Sequence, residues 1–161
     1  MRKILFTLIL CLGSAAVFAQ RSPHALGLRF GGSTMDIEYR YHFDSENFIN
    51  VDVGLFQIDK GFSASAIYNW NLKQWSDWTP RLGTWKLWSG VGGAFGHTTW
   101  DKYDGMFVGV VGNLGFGFTL NTSPWTFAVD YRPMVAVALG DESGILSPGF
   151  WNFGISIVHR F

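Results

Sequence analysis

Charged side chains alternate with apolar ones along several segments of this sequence. Asp36, Glu38 and Arg40 occupy every second position, and Asp130 and Arg132 repeat the spacing. Residues two apart in an extended strand point to the same side, so each run collects its charges on one face. Such a face could form a salt-bridge network, a gated ion path or a catalytic cluster. We expect the network, because buried charges must be paired. Its predicted members are Arg29, Asp36, Glu38, Arg40, Asp52, Lys86, Asp130, Arg132 and Arg160.

Four histidines are the other groups suited to acid–base chemistry. They are His24, His42, His97 and His159, and they fall in four separate segments. His97 is the best placed to act as a general base, but no serine follows it at a spacing that suggests a nucleophile. We expect His97 to be a polar cap, and we predict no catalytic residue, metal site or cofactor.

The first 19 residues have the pattern of a cleaved signal peptide. Arg2 and Lys3 precede an apolar run over 4–12, and Val17 and Ala19 place small residues ahead of a cleavage before residue 20. The run is shorter than the ~20 residues that a membrane-spanning helix needs. The only cysteine, Cys11, would leave with this leader. The sequence predicts one domain, 20–161, without a thiol for disulfides or metal binding.

The composition limits the environment in which this domain can fold. Charged residues make up 15% of the chain and aromatic residues 17%, so the apolar side chains must face something other than water. The net charge is zero, and loss of Arg2 and Lys3 leaves ten basic against twelve acidic residues. This balance argues against a nucleic-acid partner.

Turn signals divide the remaining chain into eight segments with a period of two. An even number of strands suits an antiparallel up-and-down barrel, and closure pairs the backbone groups that an open edge would leave in lipid. The sequence therefore predicts an all-β, eight-stranded antiparallel transmembrane barrel. We expect a bulge or break at Pro133, because proline removes a ladder donor. The segments are 24–31, 35–43, 48–57, 62–70, 85–97, 106–120, 125–139 and 150–161.

Large aromatic residues fall near the ends of these segments, on the apolar face. Such positions are typical of the interfacial girdles of outer-membrane barrels. A soluble sandwich or ligand-binding barrel shares the alternation, but it would enclose its apolar side chains and expose its charges. We expect the charges inside. The predicted girdle residues are Tyr41, Phe43, Tyr68, Trp70, Trp85, Trp125 and Trp151.

The last segment ends on Phe161 and carries Phe153, Ile155, Ile157 and His159 at alternate positions upstream. This pattern resembles the C-terminal signal that the outer-membrane assembly machinery recognises. With the segments 25–29, 88–95 and 128–133, the chain resembles the small eight-stranded outer-membrane barrels of Bacteroidetes and, more distantly, OmpA/OmpX-like barrels. The resemblance implies the outer membrane of a Gram-negative bacterium, and it brings no catalytic residues.

One wall of the predicted barrel is lined by small residues. The barrel width leaves room only for its own side chains, so we expect large residues such as Trp88 and Phe56 to fill the gap. The alternative is a slender acyl chain, which would make the protein a lipid-modifying acyltransferase or deacylase. The small residues are Gly90, Gly92, Ala94, Gly96, Gly109, Gly115 and Gly117.

Two segments could contact partners other than membrane lipid. If Phe161 is periplasmic, so is the loop 71–84, which is long for such a turn and contains Trp75 and Trp78. The loop 140–149 on the other side is the second candidate. We expect a non-enzymatic structural protein of the envelope, or an accessory subunit of a larger membrane complex.

Overall fold

A computed structural model describes residues 22–99, 103–139 and 143–161. The predicted signal peptide, 1–19, lies outside these residues. The described chain is almost entirely β-structure, with one short 3-10 helix at Ser147–Trp151. The strands are β1 His24–Gly31, β2 Thr34–His42, β3 Asn47–Phe56, β4 Gly61–Trp75, β5 Gly83–Thr98, β6 Gly105–Leu120, β7 Trp125–Tyr131, β8 Met134–Leu139, β9 Ser143–Leu146 and β10 Phe153–Arg160.

These strands form a closed antiparallel barrel. Each strand from β1 to β6 pairs with the next, and β10 closes the ring by pairing with β1 and β7. β7 and β8 both pair with β6 and make up one barrel strand, and β9 with β10 makes up another. The barrel therefore has eight strands, which confirms the predicted all-β, eight-stranded antiparallel barrel architecture.

The seventh barrel strand is interrupted at Pro133, as the sequence predicts. The ladder stops after Tyr131 and resumes at Met134. Two other backbone bonds hold the break: the Gly112 amide donates to the Pro133 carbonyl at 2.9 Å, and the Arg132 amide donates to the Asn152 carbonyl at 2.9 Å. The interruption thus leaves neighbouring backbone groups paired.

Two predicted loops are wrong. β4 continues to Trp75, which pairs with Trp85, so the long loop expected over 71–84 is reduced to 76–82. A register shift between Asn71 and Lys73 breaks the alternation of side chains there. The period of two in the sequence therefore does not indicate that β4 continues to Trp75.

The loop expected over 140–149 is the second error. Residues 143–146 form β9, which pairs with β8 and covers its edge. A 3-10 helix follows, with a proline in its first turn, and it contains Trp151, which the sequence places in a strand. Residues 140–142 lie outside the described part of the chain.

Apart from the register shift in β4, side chains alternate between the inside and the outside of the barrel. We call the end that carries His24 and Arg160 the terminal end, and the end that carries the β1–β2 and β3–β4 turns the distal end.

Among the described residues, no helix has the length and apolar character to cross a membrane.

Candidate functional site: the barrel interior and its outer face

The outer face of the barrel is apolar. Ile37, Val129 and Ile155 are each more than half exposed, and every strand carries large apolar side chains that are more than a third exposed. Within the described strands, Lys73 is the only Asp, Glu, Lys or Arg that does not point inward. It lies on the extension of β4, with its Nζ 5.3 Å from the ring centre of Trp75. A barrel with charged side chains inside and apolar side chains outside has the reverse of the arrangement expected for a soluble ligand-binding barrel.

Aromatic rings follow one another around the terminal end of the outer face. Tyr41 packs on Phe43 with ring centres 5.1 Å apart, and Phe43 lies 6.1 Å from Tyr68. Trp125 meets His159 at 4.7 Å. Further contacts join Tyr68 to Trp70, His24 to Tyr41 and Phe161, and Trp85 to Trp78, Phe116 and Phe118. Of the predicted girdle residues, Trp151 alone lies at the distal end, and its side chain is exposed.

The middle layer of the interior is organised around Arg132. Its Nη1 lies 3.0 Å from Asp52 Oδ2, and its Nη2 lies 3.1 Å from Glu38 Oε2 and 3.3 Å from Asp130 Oδ2. All four residues are buried. One guanidinium therefore neutralises carboxylates from three strands, an arrangement that the planar, five-donor arginine head group makes possible.

Arg29 forms the second centre of this layer. Its Nη2 lies 2.6 Å from Asp130 Oδ1, and its Nη1 lies 3.5 Å from Asp36 Oδ2. Nη1 also donates to Thr34 Oγ1 at 3.1 Å and to Asn152 Oδ1 at 3.2 Å. Asp130 thus accepts hydrogen bonds from Arg29 through Oδ1 and forms an ion pair with Arg132 through Oδ2, which links the two centres.

Buried amides complete the middle layer, and they were not among the residues predicted from the alternation of charges. Asn50 donates to Glu38 Oε1 at 3.0 Å, and Asn113 donates to Asn69 Oδ1 at 2.6 Å. All three asparagines occupy strand positions whose side chains face the barrel interior. The period of two could have found them if uncharged polar residues had been counted with the charges.

The distal end of the interior is filled by an apolar plug. Phe56 and Phe107 pack with ring centres 5.2 Å apart, and both are fully buried. A cavity of about 20 Å³ separates this plug from the guanidinium groups of the middle layer. The plug comprises Phe56, Ile67, Ala94, Phe107, Val111, Met134, Ala136, Ala138 and Leu146.

The terminal end of the interior carries a different set of charges. Arg40 lies at its boundary with the middle layer, paired through Nε with Glu38 and bonded through Nη2 to Ser156 Oγ at 3.2 Å. Its guanidinium also stacks over Trp88, 5.3 Å from the ring centre. Beyond it, Lys86, His42 and Arg160 line a cavity of about 120 Å³. Lys86 and Arg160 thus lie apart from the rest of the network that the sequence predicts.

Large side chains cover the wall of small residues. The Trp88 indole lies directly over Gly115 and Gly117, where a Cβ atom would overlap its ring. Phe107 covers Gly96 and the Asn69 amide covers Gly90 in the same way. The space that an acyl chain would need along this wall is occupied by protein.

His97 lies outside the interior. Its side chain is part exposed, and its Nε2 is 3.7 Å from Oδ1 of Asp104, which is itself exposed. Among the described residues no group of three or more His, Cys, Asp or Glu could hold a metal ion.

The residues of the predicted assembly signal share the outer face of β10. Phe153, Ile155, Ile157 and Phe161 are exposed, and His159 is half-buried against Trp125. Ser156, Val158 and Gly154 on the same strand point inward.

Comparisons with protein-family models, with curated proteins and with solved structures found no match for this chain. The expected relationship to Bacteroidetes or OmpA/OmpX-like barrels therefore has no support beyond the shared architecture. What the structure supports is the coarser description, a small closed antiparallel barrel of eight strands.

Proposed function

We propose that the chain is an integral outer-membrane β-barrel with a structural or accessory-subunit role in the cell envelope. The observation that carries this proposal is the outer face, where strand after strand presents exposed apolar side chains while the charged residues point inward. Contact with hydrocarbon removes this apolar area from water, which is favourable by roughly 25 cal/mol per Å².

Three further features fit a lipid environment. Ring closure pairs the strand edges, as hydrocarbon demands. The aromatic residues at the terminal end suit the interface between lipid head groups and water. The outward Phe153, Ile155, Ile157, His159 and Phe161 suit recognition by the outer-membrane assembly machinery. The predicted leader would deliver the chain to that machinery.

Fractionation of the envelope tests this location. We expect the protein in the outer-membrane fraction, resistant to alkaline extraction, and running faster on gels before boiling than after it. Ile37→Arg places a charge in the middle of the outer face and should cost about 2–4 kcal/mol of stability in the membrane. The matched control is Ile58→Arg, because Ile58 is 75% exposed in the distal β3–β4 turn. The proposal would be overturned if the protein were recovered in the soluble fraction and tolerated both changes equally well.

The accessory-subunit role rests on the turn between β4 and β5. Trp78 is 61% exposed there and stacks on Trp75 with ring centres 5.2 Å apart. Purification in mild detergent tests for a partner at this turn. We expect Trp78→Ser to lose a co-purifying subunit and Trp125→Ser, a change in another exposed tryptophan, to retain it. If neither variant nor the wild type retains a partner, the role is structural.

A further inference from the structure

Basic residues line the cavity at the terminal end. Arg40, His42, Lys86 and Arg160 lie around its volume of about 120 Å³, and none of its described lining residues is Asp or Glu. Glu38 neutralises Arg40 from the middle layer. Lys86 and Arg160 both line the cavity, where Arg160 Nε also donates to the Ser22 carbonyl.

The positions of these residues follow from strand register. Arg40 and His42 lie at the last two inward positions of β2, Lys86 lies near the start of β5, and Arg160 ends β10. Lys86 lies close enough to Arg40 and Arg160 for both charges to act on it. Like charges held together in a partly enclosed space repel one another, and this repulsion is relieved when an anion binds between them.

Uncharged donors lie in the same cavity. Thr119 and Thr126 face each other across β6 and β7, with their hydroxyl oxygens 3.0 Å apart. The wall below them is the buried ring of Trp88. Ammonium, guanidinium and hydroxyl donors converging on one volume match the acceptor oxygens of a tetrahedral oxyanion.

We propose that this cavity binds a phosphate group. The ligand is inorganic phosphate, or a phosphomonoester of similar size, or the head group of an anionic phospholipid reaching in from the terminal end. Lys86 supplies the principal charge, and Arg160 and the threonine hydroxyls complete the site. The inference rests on the interior of the barrel and stands apart from what covers its outer face.

Binding is tested on the full-length protein purified in a non-ionic detergent. Titration with inorganic phosphate, against chloride at matched ionic strength, should give a saturable change in tryptophan fluorescence because Trp88 forms the cavity wall. Lys86→Met should weaken phosphate binding by about tenfold or more, the worth of one charge-assisted hydrogen bond. Lys86→Arg should retain it. The matched control is Lys73→Met, which removes an exposed lysine outside the cavity and should bind as the wild type does.

A second readout uses the unaltered protein. Phosphate should protect Lys86 from an amine-reactive reagent and leave the exposed Lys60 reactive. Nanodiscs with and without phosphatidylglycerol separate the two sources: protection by lipid alone identifies a head-group site, and protection by inorganic phosphate identifies a solute site. Absence of protection in both arms, or unchanged affinity in Lys86→Met, would overturn the proposal.

Discussion

Two layers of the barrel interior contain arginine, yet their charges are arranged in opposite ways. In the middle layer, Arg29 and Arg132 lie among Asp36, Asp52 and Asp130, and each cation contacts at least two carboxylates. At the terminal end, Lys86 and Arg160 line a cavity whose described walls contain no acid. The middle layer is fully buried, whereas Lys86 and Arg160 are partly exposed.

The difference follows from the cost of burying charge. A charge removed from water must be paired and hydrogen-bonded, or it destabilises the fold by several kcal/mol. At the open end of the barrel water still screens the cations, so a surplus can persist there. The middle layer is therefore organised for stability, and the terminal layer is free to bind a ligand.

The largest expected effect is the loss of the central cation. Arg132→Met leaves Glu38, Asp52 and Asp130 without a shared partner and should destabilise the barrel by about 3–5 kcal/mol. Denaturant unfolding in detergent measures the loss. Combining Arg132→Met with Asp52→Asn and Asp130→Asn should recover part of it. A single variant as stable as the wild type would show that the middle layer is not a coupled network.

The next largest effect is expected from Trp88, whose indole ring lies between the middle layer and the terminal end. Trp88→Ala removes the indole that covers Gly115 and Gly117 and supports Arg40. We expect a loss of about 3 kcal/mol in unfolding free energy, in the range for large-to-small changes of a buried aromatic residue. Trp78→Ala is the control, because its side chain is exposed. Equal stability of both variants would mean that Trp88 does not pack the interior.

A smaller loss is expected from crowding Arg29. A Cβ atom at Gly154 would lie 2.7 Å from Arg29 Nη2, whereas one at the outward Gly93 would meet nothing closer than a carbonyl oxygen at 3.8 Å. Gly154→Val should therefore cost about 1–3 kcal/mol. Gly93→Val should assemble normally. Thermal unfolding followed by the gel shift distinguishes the two, and identical melting would contradict the tight fit around Arg29.

The smallest effect on stability is expected from substituting Lys86, the terminal-end counterpart of Arg132. Lys86→Met makes the same kind of change, from a long cation to methionine, but it relieves repulsion from Arg40 and Arg160. We expect unfolding free energy to change by no more than about 0.5 kcal/mol. A loss comparable to that of Arg132→Met would show that the terminal layer is also held together by its charges.

The period of two determines most of what could be predicted from the sequence. It separates Ile37 and Val129 outside from Glu38 and Asp130 inside, and the proline rule locates the break at Pro133. Alternation gives the side on which a residue lies but not its height along the barrel. Alternation therefore groups Lys86 and Arg160 with Arg29 and Arg132, although strand register puts them at another level.

The two wrong loops have a related cause. The end of β4 is hidden by the register shift after Asn71, and β9 is too short to show a period of its own. Both depend on pairing with a neighbouring strand, which local pattern does not encode. The phosphate cavity is hidden in the same way, since its residues come from distant segments.

The most direct test of the account asks what touches the outer face. Cys11 falls in the predicted leader, so a cysteine introduced at Val129 can carry a single fluorescent label, and one at Thr122, in the turn between β6 and β7, serves as control. In reconstituted vesicles, the label at residue 129 should be quenched by brominated lipid chains and not by aqueous iodide, with the reverse at residue 122. Quenching of the residue 129 label by iodide, with no response to brominated lipid, would contradict the assignment of this barrel to a membrane.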